Sequence, residues 1–181
     1  PTLRLLIEAF REWDFGVIGR GAGLAAIRNT LFICIASVVT SCIVGTGFAL
    51  ILTRYTFPGS RVLGAMAYLP FTLPPLIGVL SFYYIIGRDG FIPRFLERYG
   101  GLESAVLPGV WAILLVHTYS FYVFFYAMVG PALATLDRSQ VEAGRTLGAS
   151  RLRVFLGVTL PQLMPALRGA SLLTFMSSGA S

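Results

Sequence analysis

Few side chains in this sequence can do chemistry. There is one histidine, His117, two cysteines, Cys34 and Cys42, eight acids, and fourteen basic residues, every one of them arginine. Without a lysine the chain cannot build a Walker A loop, whose lysine reaches the nucleotide phosphates. Cys34 and Cys42 are eight residues apart, about 12 Å along a helix, too far for a disulfide. Neither has a histidine or carboxylate at ligand spacing, so both are expected to be small packing residues. The eight acids fall outside the long apolar runs, where no paired carboxylates, nucleophile–base set or metal-ligand cluster occurs. No catalytic residue, metal or cofactor is expected. His117 lies within an apolar run, where an ionisable group is a functional candidate. Satisfaction by a neighbouring helix is the plainer expectation for it.

The elements around these residues belong to a membrane. Hydrophobic residues make up 56% and charged residues 12% of the 181, against about 25% charged in a soluble domain. Three runs carry no charge: Asn29–Thr53 (25 residues), Val62–Gly87 (26) and Ser104–Leu136 (33). About 20 residues suffice to cross a bilayer. The arginines are scattered among these runs and form no stripe, which argues against nucleic acid as a partner.

Residues 1–23 pattern as an amphipathic segment, with Leu3, Leu6, Ile7, Phe10 and Trp13 at helical spacing. Trp13 and Phe15 suit a membrane interface. The first span is expected over about Leu24–Thr53. Within it Ser37, Ser41, Gly45 and Ala49 recur every fourth residue, a ridge that lets another helix approach closely. The second span, Val62–Gly87, contains Pro70, Pro74 and Pro75, which force a kink or break. Such a break is tolerated only against protein or a water-filled cavity. These prolines and His117 are the pathway candidates. "RDGFIPRFLERYGGLES" reads as a polar loop. The third span, about Leu107–Leu136, is aromatic, and its Tyr119, Ser120 and Tyr122 are expected to pack more than to line a pathway. A last apolar run begins near Pro161. The chain starts at Pro1 without Met and stops inside Gly169–Ser181, which predicts a fragment of a longer polytopic protein.

One charged segment interrupts this pattern: "EAGRTLGASRLRVFLGVTLP", residues 142–161. Asp137 followed by Gln140 is a capping-box pattern. Gly148 is a helix stop, and Ser150 can cap a second short helix. On that helix Leu152, Phe155, Leu156 and Thr159 would share a face. Pro161 suits the first turn of the next helix. Two capped helices joined at a glycine are more than a connector requires, and Arg145, Arg151 and Arg153 make the segment look like a docking surface.

Arginine counts orient the chain. Arg54 and Arg61 follow the first span without an acid. Arg138, Arg145, Arg151, Arg153 and Arg168 face only Asp137 and Glu142. Residues 88–103 balance three arginines against three acids. Excess arginine marks the cytoplasmic side. The segments 54–61 and 137–168 are therefore expected inside, and 88–103 with the amino-terminal segment outside.

Glu142-Ala143, Gly148-Ala149, Phe155, Leu160-Pro161 and Pro165 resemble the "EAA" cytoplasmic loop of binding-protein-dependent ABC importer permeases of type I. Gly144 stands where that pattern usually has Ala, a change that weakens a helix by about 1 kcal/mol. "NTL" at 29–31, "FPG" at 57–59 and "LPFTLPP" at 69–75 are similar to the same family. The resemblance covers the chain from about residue 24. It implies an all-α polytopic bundle, with 1–23 a periplasmic amphipathic segment and 24–181 a type-1 ABC transmembrane domain truncated at its carboxyl end. It implies residence in a bacterial cytoplasmic (inner) membrane. The implied partners are a cytoplasmic ABC ATPase dimer, a periplasmic or lipid-anchored substrate-binding protein and a second permease half or subunit. ATP hydrolysis would sit on the ATPase, and this chain would be no enzyme. Glu142, Ala143, Gly144, Arg145, Gly148, Ala149, Arg151, Phe155 and Pro161 would form the docking loop, with Arg145 and Arg151 as its charged contacts.

Residues 69–93 and "FMSSGAS" are most similar to ferric-iron-type permeases, with phosphonate, polyamine and thiamine permeases as alternatives. A channel or secondary transporter is the competing class. The absence of acids from the long runs argues against an ion-coupled carrier.

Overall fold

The computed structural model describes residues 21–55, 57–72, 75–87, 90–100 and 109–181, and the amphipathic segment expected over 1–23 lies almost wholly outside them. The described residues are helical, with no strand among them. In chain order the helices are α1 (Gly21–Arg54), α2 (Ser60–Met66), α3 (Leu69–Thr72), α4 (Pro75–Ile86), α5 (Phe91–Gly100), α6 (Gly109–Ala134), α7 (Arg138–Thr146), α8 (Arg151–Val154) and α9 (Leu160–Gly179). A π turn, Phe155–Thr159, joins α8 to α9.

Two of these helices, α1 and α6, are long and apolar enough to cross a membrane. The 34 residues of α1 span about 50 Å, well beyond a hydrocarbon core of about 30 Å. Helices α1 and α6 share the most extensive interface, and α9 packs on both. Lipid is as apolar as the side chains, so close packing and hydrogen bonds must hold this trio together. The four-residue ridge does so as expected: Ser37, Ser41, Gly45 and Ala49 are all buried. At Gly45 a β-carbon would run into the Tyr122 carbonyl and lie 2.6 Å from Phe125 Cβ. Only glycine admits α6 at this distance. A second ridge with the same spacing, Ala170, Thr174 and Ser178, is buried on α9.

The second expected span is broken, not kinked. Helix α2 stops at Met66, because Pro70 has no N–H to donate to the Met66 carbonyl. Pro70 sits in α3 and Pro75 opens α4, while Pro74 lies outside the described residues. The stretches Ser60–Thr72 and Ile77–Tyr99 meet at 103°, so the pair is a broken span or a re-entrant turn. Aromatic residues of α6 cover the break. The Tyr122 hydroxyl donates to the Ala67 carbonyl at 2.9 Å, and that of Tyr126 to the Gly64 carbonyl at 3.4 Å. Backbone freed by the break is thereby satisfied, as lipid requires.

The expected loop after this span is also partly helical. Phe91, Phe95 and Tyr99 stack one turn apart on α5, with centroids 6.2 and 4.8 Å apart, and Pro93 sits in its first turn. The four-residue aromatic spacing was the available signal, hidden by the charges between.

Candidate functional site

The segment after α6 folds by local rules. Asp137 caps α7, its Oδ1 accepting from the Ser139 N–H at 2.9 Å. Hydrogen bonding from Ser139, through the hydroxyl and then the backbone, holds the Asp137 carboxyl below the usual range. Gln140 does not reach back to close a capping box. Its Oε1 accepts from Gln162 Nε2 at 2.9 Å, which ties α7 to α9. Helix α9 begins close enough to compete for that amide.

Helix α7 ends in a Schellman turn. The Gly148 N–H donates to the Arg145 carbonyl at 2.9 Å and the Ala149 N–H to the Gly144 carbonyl at 3.2 Å. Gly148 has φ +79°, the left-handed conformation expected of it, and open space around its Cα. Ser150 then caps α8, its Oγ accepting from the Arg153 N–H at 3.4 Å.

Two sequence expectations need correction here. The second short helix does not end, because α8 continues through the π turn into α9. The four residues expected on one face are also not in one environment. Leu152 and Leu156 are exposed, while Val154 and Thr159 are buried. The π turn inserts extra width after Val154 and rotates the following side chains relative to α8.

Among the nine expected loop residues, Glu142, Ala143, Arg145, Gly148, Arg151 and Pro161 are exposed, and Gly144, Ala149 and Phe155 are half-buried. The unusual Gly144 has a packing reason: a β-carbon there would stand 3.1 Å from Val154 Cγ2, so glycine brings α7 and α8 closer than alanine would. Sequence reasoning passed over Leu147. It is 87% exposed at the tip of the turn, the most exposed large apolar side chain among the described residues. A leucine directly before the stop glycine was the signal.

His117 occupies a separate site. Its Nδ1 hydrogen-bonds with Ser37 Oγ of α1 at 2.9 Å and Ser178 Oγ of α9 at 3.1 Å, and its Nε2 with Ser181 Oγ at 3.3 Å. One side chain thus joins all three packed helices. Beside it opens a cavity of about 660 Å³, lined also by Thr30, Ile33 and the α4 residues Val79 and Phe82. His117 is therefore both satisfied by its neighbours and on a cavity wall. Pro70 does not line this cavity, although α4, which Pro75 opens, contributes a wall. Cys34 and Cys42 are free thiols, and Cys34 packs near Gly179, as small residues would.

Known proteins resemble this chain in sequence and in fold. Residues 23–180 match the family described as binding-protein-dependent transport system inner membrane component. The sulfate transport system permease protein CysT of Salmonella typhimurium is 33% identical over 92% of this chain and 58% of its own length. The molybdenum transport system permease protein ModB of Escherichia coli is 34% identical over 84% of this chain and 66% of its length. The ferric transport system permease protein FbpB of Actinobacillus pleuropneumoniae is 27% identical over 98% of this chain and 27% of its length. The chain thus spans between a quarter and two thirds of these relatives. A crystal structure of an amino acid ABC transporter superposes with a TM-score of 0.57 at 18% identity, over 92% of this chain and 74% of the other. With the family match running from α1 to the end of α9, this chain is a member of the binding-protein-dependent transport system inner membrane components.

Proposed function

We propose that the chain is the membrane-spanning part of an ATP-driven importer, forming one side of the pathway and receiving the motion of a cytoplasmic ATPase through residues 137–161. The observation that carries this reading is the capped helix pair. Its turn at Gly148 is left-handed, and Leu147, Glu142, Ala143 and Arg145 are left exposed around it. Leu147 supplies the apolar knob for a cleft on the ATPase. A substrate-binding protein would deliver cargo from the opposite side, and a second permease half would complete the pathway. Because α8 runs unbroken into α9, displacement of the pair reaches the bundle without a hinge.

For cargo, a tetrahedral oxyanion of the sulfate or molybdate type is favoured. Relatives named for sulfate and for molybdenum transport share 33 and 34% identity, against 27% for the ferric one. Ferric iron is the second reading, supported by the ferric relative's match to 98% of this chain.

The test uses the intact protein. An affinity-tagged full-length chain should retain an ATPase on purification. Cells lacking the gene should lose uptake of one among sulfate, molybdate and ferric iron, supplied singly. Absence of an ATPase together with unchanged uptake of all three would overturn the reading. A cysteine at Gly101 should react with an impermeant thiol reagent added outside, and one at Ser150 only after the membrane is opened. The reverse pattern would remove the docking role.

A further inference from the structure

A second cavity, of about 240 Å³, lies where the loop segment meets the end of α1. Arg54 and Tyr55 line it from the end of α1, Arg145 from α7, Arg151 from α8, and Thr159 from the end of the π turn. Among the described residues no carboxylate lines it. Three guanidinium groups around one small space repel one another unless an anion sits among them. Thr159 is an independent sign. It is 1% exposed, yet its Oγ1 has no hydrogen-bond partner. Buried hydroxyls are normally paired, and one without a partner among the described residues, on a residue that lines a cavity, is a candidate donor to a ligand there.

We propose that this cavity binds one oxyanion group of the phosphate or sulfate type. Guanidinium forks match such oxygens two at a time, and a threonine hydroxyl adds a neutral donor. The space suits one tetrahedral group with a few waters, each occupying about 30 Å³, and is too small for a nucleotide. Two sources carry this chemistry: the phosphate of an anionic lipid, reached at the membrane boundary where α1 ends, and a free oxyanion. In either case the ligand bridges α1, α7 and α8 and clamps the loop segment to the bundle. Arg145 and Arg151 then act inward, toward the bound anion, leaving Arg153 as the arginine of this stretch outside the cavity.

The experiment takes the purified full-length protein in a neutral detergent at constant ionic strength. Thermal unfolding is followed while inorganic sulfate, inorganic phosphate or short-chain phosphatidylglycerol replaces chloride. Wild type should be stabilised beyond the chloride control. Arg54→Gln should weaken the apparent affinity about tenfold, the loss expected for a charge-assisted hydrogen bond. Thr159→Val keeps the side-chain shape and should weaken binding by about threefold to tenfold, while being no less stable than wild type without the anion. Stabilisation by sulfate or phosphate that Thr159→Val diminishes identifies a free-ion site, since general salting-out would act on both proteins alike, and stabilisation by phosphatidylglycerol alone a lipid-headgroup site; both support the proposal. Wild-type affinity in Thr159→Val, or no stabilisation beyond chloride in any arm, would overturn it. If Arg54→Gln fails to fold, the Thr159→Val comparison decides. None of these outcomes depends on ATPase capture, so the proposal can fail while the importer reading stands.

Discussion

The seam between α1, α6 and α9 and the segment 137–159 are both rigid, but by opposite means. The seam is held by what is missing from it: side-chain bulk. Gly45 admits the Tyr122 backbone, Ala49 and Ala170 are fully buried, and the short Ser37 and Ser178 side chains converge on His117. The segment buries little, and backbone conformation holds it. Two N-caps and one Schellman turn fix its helices, and Val154 is its main apolar anchor. In a membrane the first strategy substitutes for a hydrophobic driving force that lipid cannot supply. In water the second lets a short helix pair hold its shape without a core, leaving its outer face free for a partner.

The comparison can be broken most severely at Gly45. Gly45→Leu should separate α1 from α6 at a cost of about 3 kcal/mol or more, because its neighbours there include backbone that cannot yield. The protein should still insert but lose its unfolding transition in detergent; an intact transition would mean the helices are not held at this contact. Gly148→Asp comes next. A side chain at φ +79° costs up to about 1–2 kcal/mol, and nothing among the described residues crowds the site. The bundle should melt as before while ATPase recovery falls sharply. Gly148→Asn should keep more of the recovery, since it has nearly the same shape and also tolerates the left-handed region but adds no negative charge to the turn. Equal recovery by wild type and the Asp variant would show that the turn is not read by a partner.

Smaller effects sharpen the distinction. Ser37→Ala removes one hydrogen bond from the His117 joint and should cost about 0.6 kcal/mol, typical within a membrane. Ser41→Ala, on the same ridge, should be neutral or slightly stabilising, because the Ser41 hydroxyl is buried without a partner. Equal losses for the two would show that volume, not pairing, governs the seam. The smallest effect concerns pH. The Asp137 carboxyl titrates below its ordinary range in the folded chain, so its capping contribution is present above the unfolded value. It is lost as pH falls through the lower, folded value. Helicity of α7 should therefore decline at the acid end of a titration, and Asp137→Asn, which still caps, should abolish that dependence.

What the sequence made legible was local or periodic. The Ser37–Ala49 ridge, the caps at Asp137 and Ser150 and the glycine turn at 148 follow from spacing and residue type, and the structure places each as expected. The misses depend on contacts distant in sequence. Gln140 turned to Gln162, 22 residues away, instead of closing its own cap. The prolines implied an interruption, but a 103° change of direction rests on Tyr122 and Tyr126 being placed to take the freed carbonyls. The π turn leaves no composition signal, so a regular helix is expected to keep Leu152, Phe155, Leu156 and Thr159 on one face, which the turn at 155–159 interrupts. The His117 joint needed three helices to meet before its serines could be counted. The docking role itself rests on resemblance and exposure, which geometry accommodates and only a partner can test.

The unbroken passage from α8 through the π turn into α9 makes a lever. Helix α9 is 20 residues long, about 30 Å, and carries Ser178 near its far end against His117. A tilt of about 5° imposed at the turn would move that far end by about 3 Å, as much as the length of the hydrogen bond between them. The joint would then part or shift to another serine. Gly169 lies along this rod, where a β-carbon would stand only 2.7 Å from Met128 Cε, so that the rod moves against a flexible thioether instead of a rigid wall.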